Sequence, residues 1–399
     1  RRGHDAFGAR EGDAGREAIA LRVGGGFEQA QLLQVRHQRR HAVVAQAAGV
    51  EARRREGAAQ RVHLGQRRHV AGVAEVVGVL AARQARAGGR LHGDDAALFR
   101  VREGHQCVVS SDMLVEGRHF FADVAPSALG HKAFAVNLSD LAAMGADPIG
   151  FTLSIGLPSV DEAWLAGFTE GLFALSERFQ CPLIGGDTTR SPVLVINVTV
   201  FGQVPTGQAI TRSGARVGDG IYVTGELGAP AYALDVLREQ TSATDLIDVA
   251  LAQARLERPT PRVAFGQGLR GIASSMLDLS DGLAGDLRHI LTASGVAARL
   301  DVDALPLHSA LRGVPKVQAW RYALSGGDEY ELCFTAPKDV PAVQSALQSL
   351  AQTQGLRVTC IGEVLASQAQ TEPMVWQSQD AAALAEFLRG APVSGFRHF

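Results

Sequence analysis

The chain has 399 residues, 46% hydrophobic and 20% charged, the balance of an ordinary soluble globular protein and too long for one typical core. No run of 18 apolar residues occurs, so a membrane span is not expected. The net charge of −2 conceals an asymmetry: residues 1–90 hold 17 Arg, no Lys and 8 acids, giving +9 there and −11 in the remainder.

Residues 1–92 read as an atypical Arg/Ala/Gly-rich extension whose arginines are dispersed among Ala, Gly, Gln and His. A short helix over 70–80 is the one periodic element in it. Three readings stay open: a disordered extension, a stretch foreign to the natural reading frame, and a nucleic-acid arm. The opening RRGHDAFGAR has no apolar core, so no secretory signal is expected. Cys107, Cys181, Cys333 and Cys360 are scattered singly, which excludes C-x-x-C spacing and predicts reduced, mostly buried thiols in a cytoplasm.

From His92 onward the pattern becomes ordered. Gln106–Ser111 predicts a buried strand ending at Asp112. Residues 128–146 carry Leu129, Ala133, Val136, Leu141 and Met144 at helical spacing, with Gly145 as the stop. Asn137 and Asp140, three apart, share one face of that helix. A strand over 149–157, a helix over 161–179 and a short strand over 181–184 follow, the last running into Gly185-Gly186-Asp187. The β-branched run 193–204 is the clearest strand in the chain. Four glycines within 205–220 mark a connection between domains. A second series follows: a strand at 221–224, a helix through Arg238, and a strand over 274–279. A helix bearing Leu283, Leu287 and Ile290 comes next, then a loop feeding a strand within 322–335, a helix over 341–350 and a strand over 357–365. The expected fold class is α/β, of α+β kind with mixed sheets in two lobes. The expected domains are 93–205, a linker over 206–220, and 221–399.

Acidic knots punctuate these elements: GDD at 93–95, SSD at 110–112, NLSD at 137–140, GGD at 185–187, DLSDG at 278–282 and SGGDEYE at 325–331. Two carboxylates about 4 Å apart repel by roughly 4 kcal/mol at an effective dielectric near 20. Gathering many of them requires cations, and hard oxygen donors without Cys or His select Mg²⁺. The three lysines, Lys132, Lys316 and Lys338, lie in neither a P-loop nor a protein-kinase strand. Phosphoryl transfer here would therefore rely on Mg²⁺ and arginine.

Each knot also has a plain reading. Asp94 and Asp95 suit a turn, Asp112 a helix cap, and Asp187 a turn. Ser280 and Asp281 suit a simple cap, and Arg212 a solvated connection. Asp140 in mid-helix is different, because an unpaired buried carboxylate is costly. Gly185–Thr189 reads as a loop whose amides and carboxylate suit a phosphate and its metal together. Ser280 and Asp281 open a helix whose amides favour anions.

At these residues the chain resembles the thiamine-monophosphate kinases, in the aminoimidazole ribonucleotide synthetase superfamily. GDDAALF, SSDMLVEGRHF, NLSDLAAMGADP, GGDTTRS, TRSGARVGD, LDLSDGLAGDL and SGGDEYELCF follow one another in that family's order, and GFRHF closes the chain as its last motif does. The likeness runs from Gly93 to Phe399. It implies a two-lobed fold, ATP-dependent phosphorylation of thiamine monophosphate to the diphosphate, and several Mg²⁺ ions. By resemblance the metal ligands are Asp95, Ser110, Ser111, Asp112, Asp140, Asp187, Asp278 and Asp281. ATP would meet Gly186, Asp187, Arg212 and Ser280, with Asp140, Asp187 and Arg212 carrying catalysis. Thiamine would meet His119, Glu329 and Phe396. His119 and Phe396 read on their own as a surface histidine and core packing. The family also implies a homodimer through the amino-terminal lobes. The family's N-terminal helix is unrecognisable here, and Arg90-Leu91-His92 precedes Gly93 where its strand into the first acidic knot would run. Two rivals remain: a sibling ATP-using synthetase, for which Cys107 sits in the wrong setting, and a nucleic-acid binder using the arginine-rich arm.

Overall fold

The computed structural model describes residues 96–242, 245–368, 372–390 and 393. Expectations for residues 1–92, including the helix over 70–80, and for Asp94, Asp95 and Phe396 lie outside the described residues.

The first lobe consists of β1 (His105–Val115), α1 (Pro126–Ala143), β2 (Asp147–Leu157), α2 (Glu162–Arg178), β3 (Leu183–Arg190) and β4 (Val195–Pro205). Its sheet runs β1-β4-β2-β3, antiparallel except for the parallel pair β2/β3. β4 alternates as its composition demands, burying Ile196, Val198 and Val200 on one face. α1 and α2 pack closely because Gly130 and Gly171 sit at their crossing. A Cβ added at either would stand 1.9 or 1.8 Å from a backbone oxygen of the other helix.

The second lobe begins with β5 (Asp219–Thr224), α3 (Ala229–Leu237), α4 (Leu246–Glu257), α5 (Val263–Gly268), β6 (Ser275–Asp278) and α6 (Leu283–Ser294). It continues through β7 (Val296–Asp301), α7 (Lys316–Ser325), β8 (Leu332–Pro337), α8 (Pro341–Gln354), β9 (Val358–Ala366), β10 (Met374–Gln377) and α9 (Ala381–Arg389). Its sheet runs β10-β7-β9-β5-β8-β6, with β10/β7 parallel and the other pairs antiparallel.

The cores do not divide as the lobes do. One core joins Leu138 and Leu141 of α1 to Phe265, Met276 and Phe334 of the second lobe. α1 is therefore buried on nearly every side and carries its residues into the seam between the sheets. The connection over 206–220 belongs to this seam: Ile210 is buried, and the Met276 N–H donates to the Thr211 carbonyl at 3.0 Å. The other face of the second sheet is covered by α6, α7 and α9 around Trp320, Leu287 and Phe387.

Four local expectations are corrected. β1 continues through Asp112 to Val115, because Met113–Val115 pair with β4 as fully as Gln106–Ser111 do. Gly185–Thr189 is not a loop but part of β3, held by parallel pairing to Thr152–Gly156. The 322–335 segment begins as the last turn of α7 and becomes irregular only after Ser325. Cys107 and Cys360 are exposed, whereas Cys181 and Cys333 are buried as expected. Cys107 lies on the edge strand β1, where alternate side chains reach solvent.

Candidate active site

α1 places Asp140 against the middle of β1, where the Ser110 hydroxyl donates to Asp140 Oδ2 at 2.5 Å. Asp112, two residues beyond Ser110, lies on the same face of the strand and shares a hydrogen bond with Asp140. Asn137, one turn earlier on α1, sets the height of that contact. Its Oδ1 accepts from the Asp112 N–H at 3.1 Å, and its amide donates to the Ala133 carbonyl at 3.1 Å. From the second lobe, Asp278 ends β6 nearly buried, and Asp281 follows in the turn before α6.

The electrostatics of this meeting are unfavourable for the protein alone. Burial, then the neighbouring Asp140 charge, pushes the Asp112 carboxyl up to about 7. Burial raises Asp140 as well, opposed by the Ser110 hydrogen bond and by the field of Arg212. Asp278 is held well above the ordinary carboxylate range, first by burial and then by Asp140. Asp281 adds its charge to the field at Asp112.

Among the described residues no three His, Cys, Asp or Glu side chains are grouped to enclose an ion. The donor set still fits Mg²⁺, which takes one or two carboxylates and completes its octahedron with water and phosphate oxygens. Every donor at the cluster is a hard oxygen, the buried Ser139 hydroxyl is directed to Asp278, and the field of Arg212 only partly opposes the like charges.

Not every expected residue joins the cluster. The Ser111 side chain alternates to the opposite face of β1, bonding Thr199 Oγ1 at 2.9 Å and accepting from Asn197 at 3.1 Å. Asp187 is exposed on the edge strand β3, its carboxylate accepting from the Thr188 N–H at 2.8 Å. Strand register aligns it with Ser154, Asn197 and Met113 in turn. Three strand spacings, roughly 14 Å, therefore separate it from the Asp112 side of the sheet. Gly186 is required where it stands: its φ is +155°, and a Cβ would lie 1.9 Å from the Leu153 oxygen.

The amides of Ser280, Asp281 and Gly282 are not available to a phosphate. All three donate to Asp286 Oδ2, each at 3.1 Å, so the chain has supplied its own anion to that turn. Burial raises the Asp286 carboxyl to about 7 even so. Ser280 retains its hydroxyl, and the Ser280 and Asp281 side chains line a cavity.

That cavity, about 670 Å³, opens beside the carboxylates and is lined from both lobes. Its lining includes the acids Asp112, Asp281 and Asp328, the cations Lys132, Arg238 and Arg321, and the apolar Phe120, Phe121 and Leu234. His119 lines it too, with Nδ1 accepting from the Val115 N–H at 3.0 Å, which leaves the ring proton on Nε2. Glu329 does not line it: the side chain is 1% exposed, with Oε1 accepting from the Gly228 N–H and Oε2 without a hydrogen-bond partner among the described residues. Burial pushes Glu329 up to about 8. Arg212 is exposed, and its loop is pinned by Ser294 Oγ, which donates to the Arg212 carbonyl at 3.3 Å.

Three features escaped the sequence. The sequence puts Asn137 on the correct face of α1 but gives it no role. Asp286 had a signal, an acid in the first turn of a helix, the position from which such side chains reach back to orphan amides. Lys132, 5% exposed and lining the cavity, had none.

Two family models match the chain: AIR synthase related protein, N-terminal domain, over residues 93–204, and its C-terminal domain over 216–372. The fold and the acid-lined seam are thus of the AIR synthase related class. A thiamine-monophosphate kinase of Salmonella typhimurium is 50% identical over 275 residues, 69% of this chain and 83% of that protein. The crystal structure of a thiamine-monophosphate kinase from Stenotrophomonas maltophilia matches with a TM-score of 0.69 at 42% identity, covering 76% of this chain and 96% of that one. AaThiL complexed with AMPPCP and TMP matches with a TM-score of 0.63 at 27% identity, covering 81% and 96%. The chain belongs to the thiamine-monophosphate kinase family.

Proposed function

We propose that the protein transfers the γ-phosphoryl group of ATP to the phosphate of thiamine monophosphate, forming thiamine diphosphate. The observation that carries this is the mutual electrostatic coupling of Asp112, Asp140 and Asp278, with Asp112 and Asp281 also lining a cavity that includes apolar residues. The family's named activity and a relative's complex with AMPPCP and TMP support the same reading.

Mg²⁺, held by Asp112, Asp140, Asp278 and Asp281 with Ser110 and with Asp95 from the adjoining segment, would neutralise the phosphates and draw the two reactants together. The acceptor is already an anion at neutral pH, so the chain needs no strong general base. Its own residues bind and orient. Ser110 and Asn137 fix Asp140 and Asp112 in place, and Arg212 offers charge to the nucleotide phosphates. Asp286 holds the 280–282 turn so that Ser280 and Asp281 face the cavity. His119 presents Nε2–H to the thiamine end. Asp187 and Gly186, on the edge strand, would meet the nucleotide apart from the Asp112 group. Glu329 would act on the thiamine only if the 325–331 segment opens.

We place the working unit as a homodimer through the first lobes. β1 is an edge strand, and Val109 and Met113 on it are each 55% exposed, with Leu98 and Phe99 nearby in sequence. The unpaired exposed thiols Cys107 and Cys360 suit a reducing cytoplasm. Among the described residues no helix is long and apolar enough to cross a membrane.

Incubation with Mg-ATP and either thiamine or its monophosphate, followed by separation of products, tests the proposal. Diphosphate from the monophosphate alone is expected. Product from free thiamine alone would redirect the assignment to a hydroxyl kinase or pyrophosphokinase.

A further inference from the structure

Lys132 is one of three lysines in the chain, and its ammonium is buried where α1 meets the segment after α7. Nζ lies 2.9 Å from Asp328 Oδ1, and the two side chains are 6% and 31% exposed. An ammonium has three N–H donors, and Asp328 is the one partner seen among the described residues. Burying a cation with so little compensation is costly.

The position explains the cost. Lys132 and Asp328 both line the 670 Å³ cavity, together with Asp112, Asp281, Phe120 and Phe121. Lys132 stands two turns before Asp140 on the same helix, about 12 Å along its axis. A terminal phosphate carried into this cavity meets a buried ammonium at Lys132, beside the arginines Arg118, Arg238 and Arg321 that also line it.

Resting on the phosphate-acceptor reading above, we propose that Lys132 is a specificity-determining residue that binds the acceptor's phosphate, and that Asp328 holds it in place until substrate arrives. The exchange moves no proton and breaks no covalent bond: one anion replaces another on the ammonium.

Steady-state kinetics on the full-length enzyme test this. Lys132→Met should raise the KM for thiamine monophosphate about 10- to 100-fold, the loss of one charge-assisted contact. The KM for ATP should hold within about threefold, and the inhibition constant of free thiamine, which lacks the phosphate, within about twofold. Lys132→Arg should recover most of the loss. Asp328→Asn, which removes the competing anion, should lower the KM for the monophosphate. A pair that merely straps the lobes together predicts otherwise: Lys132→Met and Asp328→Asn would then weaken thiamine and monophosphate binding alike. That result overturns the proposal, as does a monophosphate KM unchanged by Lys132→Met or not lowered by Asp328→Asn. Should Lys132→Met fail to fold, Lys132→Arg and Asp328→Asn decide by the same criteria. A wild-type enzyme that makes no diphosphate would sink the phosphate-acceptor reading, and an active enzyme indifferent to Lys132→Met sinks only this one.

Discussion

Glu331 and Asp140 are acids withdrawn from solvent within the same fold, and the chain treats them in opposite ways. Glu331, 0% exposed, accepts from Thr224 Oγ1 at 2.6 Å, Arg255 Nη2 at 2.7 Å and Arg262 Nε at 2.7 Å. Its charge is matched inside the molecule, and the knot ties α4 and α5 to the second sheet. Asp140 meets a hydroxyl, and the acids Asp112 and Asp278 lie in its field. A buried acid with its own cations is architecture. Buried acids facing one another leave room for a cation from outside, and that asymmetry marks the site.

Substitutions that remove charge but keep shape should separate the two regions. Asp140→Asn should lower kcat/KM about 10³-fold, the scale of removing a group that stabilises the transition state. Its melting temperature without Mg²⁺ should equal or exceed that of the wild type, since a repulsion is relieved. Glu331→Gln should do the reverse. Breaking a buried ion pair costs about 3–5 kcal/mol, measurable by urea denaturation, while the folded fraction keeps near-normal turnover at low temperature. Equal effects of the two on stability would erase the distinction.

Glu329 sharpens the comparison because, among the described residues, it has a hydrogen bond but no ion pair, only the more distant field of Arg255. Its folded value of about 8 lies above the unfolded carboxyl value near 4.5, so its contribution is greatest below that lower value and disappears as pH rises through 8. Between pH 6 and 8 the wild type should lose about 2 kcal/mol that Glu329→Gln does not lose. Parallel denaturation curves for the two proteins would show that Glu329 does not titrate in this range. Asn137→Ala, which strands the Asp112 N–H, should cost about 1–3 kcal/mol of stability, read by urea denaturation.

Much of this was legible in the sequence where local chemistry and tertiary context agree. The helix bearing Asn137 and Asp140 could be read from its apolar spacing, and the strand at 195–205 from its valines and isoleucines. Gly185–Asp187 could not, because two glycines signal a turn while pairing with β2 imposes a strand; Gly186 is there for close approach to Leu153. The SSD motif was visible as a motif, yet strand alternation sends Ser111 away from Ser110 and Asp112. Lys132 was hidden because α1 is buried on nearly all sides, so no apolar stripe distinguishes the face that meets the cavity. The exposed thiol of Cys107 reflects an edge position that depends on strand order rather than on its neighbours in sequence.

Thermal unfolding of the wild type and Asp140→Asn, each with and without Mg²⁺, puts the claim about unmatched charge to its most direct trial. The wild type should gain stability as Mg²⁺ is added, by about 2.7 kcal/mol at a hundredfold excess over its dissociation constant, and Asp140→Asn should gain little. A wild-type curve indifferent to Mg²⁺, or a variant that gains as much, would contradict the account.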